Sequence, residues 1–158
     1  MKIFREEHRT ARAKGQDTAL GAPYPQAIND YIARYDSGED RYQCEVIIAE
    51  SGDVVGYIRA LHRLTLKNES EDLTKPRARQ TSLHKLGILK DFQGLGLGKT
   101  LVERVIQRAK DKERDAIRIN LPEGNPMSFY KKLGFKKVAQ IPAKGNKRAL
   151  DIIDLKLN

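Results

Sequence analysis

The chain has 158 residues and a net charge of +9, and 39% of its residues are hydrophobic. A chain of this length is expected to form a single domain over residues 1–158. No apolar run approaches the ~20 residues that span a bilayer, and no secretory signal is predicted near Met1. The single cysteine, Cys44, excludes an internal disulfide, and no Cys/His cluster has metal-ligand spacing. We therefore expect a cytoplasmic protein that holds no metal and contacts no membrane.

The positive charge is concentrated in one part of the sequence. No acidic residue occurs between Gly124 and Leu150. The basic residues of this interval are Lys131, Lys132, Lys136, Lys137, Lys144, Lys147 and Arg148. Such a surface attracts anions, nucleic acid among them. Because no recognisable nucleic-acid-binding module accompanies it, a solvated basic surface is the favoured interpretation, and a nucleic-acid partner is not expected.

The first predicted elements are helices and a β-hairpin. Residues 1–40 are expected to form N-terminal helices, and the apolar residues from Ile28 to Tyr35 recur at the spacing of one helical face. Two β-rich runs, 42–50 and 54–64, flank turn residues and predict a hairpin. Gly56 within the second run indicates a bulge or a close backbone approach.

A loop and a further strand follow. The polar segment from Thr65 to Gln80 predicts a loop, and a strand is expected from Ser82 to Leu89. Alternation places His84 on the same face as Leu86 and Ile88. A histidine removes protons near neutral pH without an unusual environment. His84 is therefore a candidate base, with a structural or rim histidine as the alternative.

Three glycines, Gly94, Gly96 and Gly98, lie between this strand and a segment with helical spacing. Glycine permits positive φ and close approach to backbone amides, and the first N–H groups of a helix have no partner within it. The segment therefore predicts an anion cradle, with a plain tight connection as the alternative. A Walker A loop is excluded by Gln93 and the dinucleotide fingerprint by Lys99, since each stands where the motif requires glycine.

The rest of the chain predicts a strand, a short helix and a closing hairpin. The strand is expected over Asp115 to Leu121, and Pro126 is well placed to begin a helix that reaches Leu133. Gly134 then fits a left-handed helix cap. The final strands, Phe135 to Ile141 and Ala149 to Leu157, are joined by a glycine-containing turn.

Two ordered motifs carry a family resemblance. The matching residues are Gln93, Gly96 and Gly98, in the pattern [RQ]-x-x-G-x-[GA], and, downstream, Asn125 and the segment FYKKLGF from Phe129 to Phe135. The chain resembles the GNAT-type N-acetyltransferases over about residues 42–157, and residues 1–40 match poorly. This resemblance implies an α/β fold with a mixed, mostly antiparallel sheet of about six or seven strands flanked by helices. In that fold two parallel strands splay and admit the pantetheine of acetyl-CoA.

The resemblance also implies a mechanism. Acetyl-CoA would be the co-substrate, and an amine acceptor would attack its thioester directly. Tyr130 would protonate the departing thiolate, and His84 is the candidate for the base. The residues expected to bind the cofactor are Leu86, Ile88, Gln93, Gly94, Leu95, Gly96, Leu97, Gly98, Lys99, Asn125 and Tyr130.

Several alternatives stay open at this point. Asn125 lies closer to Tyr130 than in the family's common form, so the segment Gly124 to Pro126 has a second interpretation as the turn and N-cap of the helix. A catalytically silent GNAT-like module that binds acyl-CoA or nucleic acid is the alternative to an enzyme. An acetyltransferase acting on a protein or a ribosomal N-terminus is the third possibility. The acceptor and the formation of a homodimer are left open.

Overall fold

A computed structural model of the chain describes residues 41–63, 72–75 and 78–157, and the backbone of residues 2–4. The helices predicted within residues 1–40 and most of the loop predicted over 65–80 lie outside the described residues. The described strands are β1 (Lys2–Phe4), β2 (Tyr42–Ile48), β3 (Val54–His62), β4 (Gln80–Ile88), β5 (Ala116–Pro122), β6 (Lys136–Ile141) and β7 (Leu150–Lys156). The described helices are α1 (Leu97–Asp111) and α2 (Met127–Lys132), and a 3-10 turn covers Lys90–Phe92.

These strands form one mixed sheet in the order β1-β2-β3-β4-β5-β7-β6. The pairs β1–β2, β2–β3, β5–β7 and β6–β7 are antiparallel, whereas β4 and β5 are parallel. The predicted fold class is therefore confirmed. The sequence did not indicate β1, because a strand of three residues is too short to show a period of two.

Contacts within the chain group its residues into two compact units. The first comprises Met1–Leu61 and Lys85–Val105, and the second comprises His62–His84 and Ile106–Asn158. The strand β4 and the helix α1 contribute residues to both.

The hairpin β2–β3 lies in the first unit except for its last residue, His62, and it contains an irregularity. Ile47 pairs with Gly56 and Ile48 with Val54, so Val55 is an extra residue and forms a bulge. A Cβ on Gly56 would lie only 2.7 Å from Ile88 Cδ1. The predicted hairpin is confirmed, and Gly56 shows both of its predicted features: it borders a bulge and is closely approached by a neighbour.

The core of the first unit combines an apolar cluster with one buried charge. Val46, Val54 and Tyr57 pack together beneath Ile48 and Leu89. On the same strand β2, Glu45 is buried. Its carboxylate accepts hydrogen bonds from the Gln43 amide and from the Arg104 guanidinium, and the second of these contacts joins β2 to α1.

In the second unit, β4 and β5 pair over a short length. Gln80 pairs with Ala116 and Leu83 with Ile119. The register ends there although β5 continues to Pro122 and β4 to Ile88. The strand β4 begins two residues earlier than expected, so the prediction of loop structure at Gln80 was wrong.

The burial of β5 follows from its place inside the sheet, between β4 and β7. Its first four residues, Ala116 to Ile119, are all buried. A parallel strand is usually covered on both faces, so its side chains are buried without alternation. The polar member of this run, Arg118, forms a bidentate ion pair with Asp154 on β7, at 2.7 Å for each N–O contact.

The end of the chain matches the prediction closely. The helix α2 and the hairpin β6–β7 occur where they were expected, and a bridge between Lys144 and Lys147 closes the turn. Gly134 has φ +94° and Gly145 φ +58°, both in the left-handed region that favours glycine. The predicted cap at Gly134 is therefore confirmed.

Candidate active site

The glycine turn leads from β4 into α1 within the first unit. Gly94 and Gly96 have φ values of +77° and +78°, a conformation that other residues rarely adopt. The side chain of Gln93 supports the turn, because its Nε2 donates to the Ile88 carbonyl at 3.0 Å. The Gln93 backbone N–H donates to the Lys90 carbonyl at 3.2 Å. Gln93 thus contributes to the shape of the turn.

The backbone amides of this turn are open. Among the residues that the structure describes, the N–H groups from Gly94 to Lys99 donate to no acceptor, whereas that of Thr100 donates to the Gly96 carbonyl at 3.0 Å. Within the described part of the chain, no atom beyond the glycine and its two neighbours in sequence lies within 4 Å of a Cβ built on Gly94 or on Gly96. An anion therefore finds unpaired donors at a helix N-terminus and no side chain in its way.

The other residues of the turn differ in exposure. Leu95, between the two glycines with positive φ, is 63% exposed, and Lys99 lies 3.7 Å from Glu103 in an exposed ion pair. Leu97 and Gly98 are half-buried at the start of α1. Leu86 and Ile88, the cofactor candidates on β4, are also half-buried. All of these candidates belong to the first unit.

Tyr130 lies on α2 in the second unit, between two aromatic rings. Its ring centroid is 5.0 Å from that of Phe129 and 5.7 Å from that of Phe135, and both pairs are T-shaped. Burial raises the pKa of the Tyr130 phenol above its ordinary value of 10.0. The hydroxyl is therefore fully protonated at neutral pH and can act as a proton donor.

Asn125 forms the turn that precedes α2. Its backbone N–H and its Nδ2 both donate to the Pro122 carbonyl, at 3.1 and 3.2 Å. The N-cap of the helix is Pro126, with no side-chain cap hydrogen bond. Gly124 to Pro126 thus form the turn that precedes α2, and the Asn125 side chain is exposed. The role of Asn125 in binding the cofactor stays a prediction.

The two described histidines differ. His84 is exposed on β4, beside the buried Leu83. His62, which the sequence interpretation did not single out, is 1% exposed at the end of β3, and its Nδ1 lies 2.7 Å from Thr81 Oγ1. The alternation of β3 could have indicated that His62 points inward, but the sequence gives no signal for its partner.

The described residues also include one cysteine and several side chains of the types that bind metals. Burial raises the pKa of the Cys44 thiol from 9.0 to about 12, so it is not a thiolate near neutral pH. Within residues 41–63, 72–75 and 78–157, no group of three His, Cys, Asp or Glu side chains could hold a metal ion. In the same part of the chain, no helix has the length and apolar character needed to cross a membrane.

Comparison with known proteins identifies the family. The chain belongs to the acetyltransferase (GNAT) family, which matches residues 4–135. An uncharacterized N-acetyltransferase of Pyropia yezoensis, ycf52, is 49% identical over 47 residues, which are 30% of this chain and 26% of the relative. The 5-NmdU N-acetyltransferase of Pseudomonas phage PaMx11 is 34% identical over 61 residues, 39% of this chain and 43% of the relative. The chain thus matches less than half the length of these curated relatives.

Solved structures resemble the chain over nearly its whole length. An aminoglycoside 6′-N-acetyltransferase complexed with coenzyme A aligns with 100% of this chain and 98% of its own, with a TM-score of 0.71 and 13% identity. The ribosomal-protein-S18-alanine N-acetyltransferase of Escherichia coli aligns with 99% of this chain and 93% of its own, with a TM-score of 0.66 and 15% identity. At these identities the likeness shows the fold.

Proposed function

We propose that the protein transfers the acetyl group of acetyl-CoA to a primary amine of a small molecule or peptide by direct attack. The observation that carries this proposal is the set of unpaired amides from Gly94 to Lys99, which stands at the position of the family's cofactor motif. The end of β4–β5 pairing at Leu83 and Ile119 supports it, because the resemblance implies parallel strands that splay for the pantetheine. The complex of the aminoglycoside enzyme with coenzyme A also supports it.

The turn would bind the pyrophosphate through its backbone. The helix dipole adds only about 0.3 to 1 kcal/mol on an exposed surface, so several N–H bonds must provide most of the affinity. Lys99 is already paired with Glu103, and an exposed pair of this kind is readily exchanged for a phosphate contact. Leu95 and the β4 residues would contact the apolar parts of the cofactor.

The transfer itself would need one acid and one base. The amine nitrogen bonds to the carbonyl carbon, the carbon–sulfur bond breaks, and the amine proton leaves to His84 or to water. The thiolate takes its proton from Tyr130. A half-buried phenol whose pKa is raised by desolvation retains this proton until the thiolate develops.

The acceptor is a separate question from the cofactor. The names of the similar proteins give an aminoglycoside, the alanine of a ribosomal protein and 5-NmdU as acceptors. The only feature that these names show in common is a nitrogen that is acetylated. A screen of acetyl-CoA consumption against pooled amines, polyamines, aminoglycosides and peptides would identify the class.

The decisive experiment removes one hydroxyl. Tyr130→Phe should lower kcat by about 10²- to 10⁴-fold, the usual share of a positioned general acid, while acetyl-CoA still binds in calorimetry. Tyr42→Phe, which removes the same group from β2, is the matched control and should leave kcat unchanged. If Tyr130→Phe retains turnover within about twofold of wild type, far less than the loss of a general acid costs, the silent-module alternative is favoured.

The role of His84 is tested by the pH dependence of turnover. If His84 removes the amine proton, His84→Ala should abolish the acidic limb of the profile and change acetyl-CoA affinity little. His62→Ala is not a suitable control, because that histidine is buried against Thr81. An acidic limb that survives in His84→Ala would assign the proton to water or to another group.

A further inference from the structure

The hydrogen bonds described between the short helix α2 and the chain beyond it lie at its C-terminal end. The helix has six residues, none of them buried, and its N-cap makes no side-chain hydrogen bond. A helix of this length is far below the 12 to 15 residues, roughly, at which helices begin to persist alone. Its orientation, and with it the orientation of Tyr130, must therefore come from contacts outside the helix.

The C-terminal contacts form a Schellman motif around the carbonyl of Tyr130. The Phe135 N–H donates to that carbonyl at 3.1 Å, and the Gly134 N–H donates to the Lys131 carbonyl at 3.0 Å. The left-handed φ of Gly134 makes this reversal of the chain possible, as in other motifs of this type. A second N–H, that of Leu133, also donates to the Tyr130 carbonyl at 3.0 Å.

The same two residues meet through their side chains. Phe135 is only 2% exposed, and its ring stands edge-to-face against the Tyr130 ring at 76°. An apolar contact of this kind often accompanies the Schellman motif. Phe135 is therefore anchored in the core and touches Tyr130 twice, once through the backbone and once through the ring.

We propose that Phe135 is a positioning residue for Tyr130, and that it fixes the direction of the phenol and excludes water from it. This inference rests on the proposed function, in which Tyr130 is the general acid. The inference also explains the last two residues of the FYKKLGF segment. Gly134 permits the turn at the end of the helix, and Phe135 fixes the orientation of Tyr130.

The test is a double-mutant cycle between the two residues. Phe135→Leu keeps the backbone bond and removes the ring contact. It should lower kcat by about ten- to a hundredfold, as expected for a displaced catalytic group, with KM for acetyl-CoA nearly unchanged. In the Tyr130→Phe background the same change should have no further effect on kcat. An equal loss in both backgrounds would overturn the proposal, because Phe135 would then act through the core in general.

A control and a second readout separate the possible failures. Ile152→Ala truncates another fully buried side chain of the second unit and should leave kcat within about twofold below the unfolding temperature, because it removes packing without moving the acid. Phe135→Met serves if Phe135→Leu does not fold.

The second readout does not depend on turnover. In protein labelled with ¹³C-tyrosine, the Tyr130 resonance is the one that Tyr130→Phe removes. Phe135→Leu should lower the pKa of this phenol, because water reaches it, and Phe129→Leu provides the comparison for the other ring. If Tyr130→Phe has no effect on kcat, the proposed function fails, and the titration still decides the positioning. An unchanged titration in Phe135→Leu would overturn it.

Discussion

At the scale of single residues, Glu113 has a backbone conformation that is unfavourable for a residue with a Cβ. Within the described part of the chain, it is the only residue other than glycine with a positive φ, which is +54°. It ends α1 through the same Schellman pattern as Gly134, since its N–H donates to Lys110 and that of Arg114 to Ala109, at 2.8 and 2.9 Å. A left-handed residue with a Cβ costs about 1 to 2 kcal/mol.

Replacing Glu113 by glycine should therefore stabilise the protein. We expect a gain of about 0.5 to 1 kcal/mol, because relief of the left-handed strain exceeds the added entropy of the unfolded chain. The lost ion pair with Arg79 spans 3.8 Å on an exposed surface and contributes little. Urea unfolding measures the difference.

Glu103→Gly is the control for this prediction, since it places the same glycine inside α1. It should destabilise the protein by about 1 kcal/mol. A loss of stability in both variants would show that the left-handed residue carries no strain.

At the scale of elements, the glycine turn joins a strand to a helix and leaves its amides open. Gly96→Val should abolish stabilisation by acetyl-CoA, because a branched side chain covers amides that now face open space. Wild-type protein at a hundred times Kd should gain about 2.7 kcal/mol. Differential scanning fluorimetry with and without acetyl-CoA gives both values.

Gly145→Val is the matched control for this change. Gly145 also has positive φ and open space around its Cβ, but it lies in the turn between β6 and β7. Both variants should lose similar stability without ligand. Only Gly145→Val should retain the shift with acetyl-CoA, and a shift that survives in Gly96→Val would contradict the pyrophosphate assignment.

Arg118 links β5 to a neighbouring strand and to a loop. Besides its ion pair with Asp154, its Nη1 donates to the carbonyls of Leu73 and Lys75, at 2.8 and 2.9 Å. Arg118→Met should destabilise the protein by about 3 to 5 kcal/mol, because it leaves a buried carboxylate unpaired. Chemical denaturation measures the loss.

The double variant Arg118→Met with Asp154→Leu provides the comparison. It should recover most of the stability, because apolar side chains often replace a buried ion pair at little cost. Residues 72–75 should nevertheless exchange their amide hydrogens faster, since the guanidinium no longer holds their carbonyls. Unchanged exchange would mean that this loop does not depend on Arg118.

The strand β5, which carries Arg118, shows how much of the structure the sequence predicts. The hairpin, α1 and the glycine positions follow from local patterns, since turn chemistry and helical period act over a few residues. Alternation along β5 predicts that Arg118 is exposed. Arg118 is buried because β5 lies inside the sheet, and that position depends on pairing between strands that are far apart in sequence. Its partner Asp154 is 36 residues away. The glycine turn was likewise predictable, whereas the contacts of Tyr130 with Phe129 and Phe135 required coordinates.

At the scale of the whole molecule, alkaline pH should destabilise the protein. Burial raises the pKa of Cys44 from 9.0 to about 12 and also raises that of Tyr57. A pKa that is raised by folding contributes stability that is complete below the unfolded pKa and is lost as pH rises toward the folded one. Between pH 9 and 12 the thiol should therefore reduce the free energy of unfolding by about 1.4 kcal/mol per pH unit.

Urea titrations at several pH values test this contribution. Lysines and tyrosines also titrate in this range, so the informative quantity is the difference in slope between wild type and Cys44→Ala. Below pH 9 the two proteins should show parallel curves, and above it wild type should fall more steeply. Parallel curves up to pH 12 would mean that the thiol ionises in the folded protein without cost.

Because Cys44 is buried, the reactivity of its thiol reports local opening of the structure. Cys44 is the single cysteine of the sequence and is 5% exposed on β2. A disulfide reagent that measures released coenzyme A will therefore find almost no background while the hairpin stays closed. Without substrate, the rate at which the reagent modifies Cys44 measures how often β2 opens. If acetyl-CoA binds the closed form, it should slow that labelling in proportion to its occupancy, which gives an affinity before any acceptor is known.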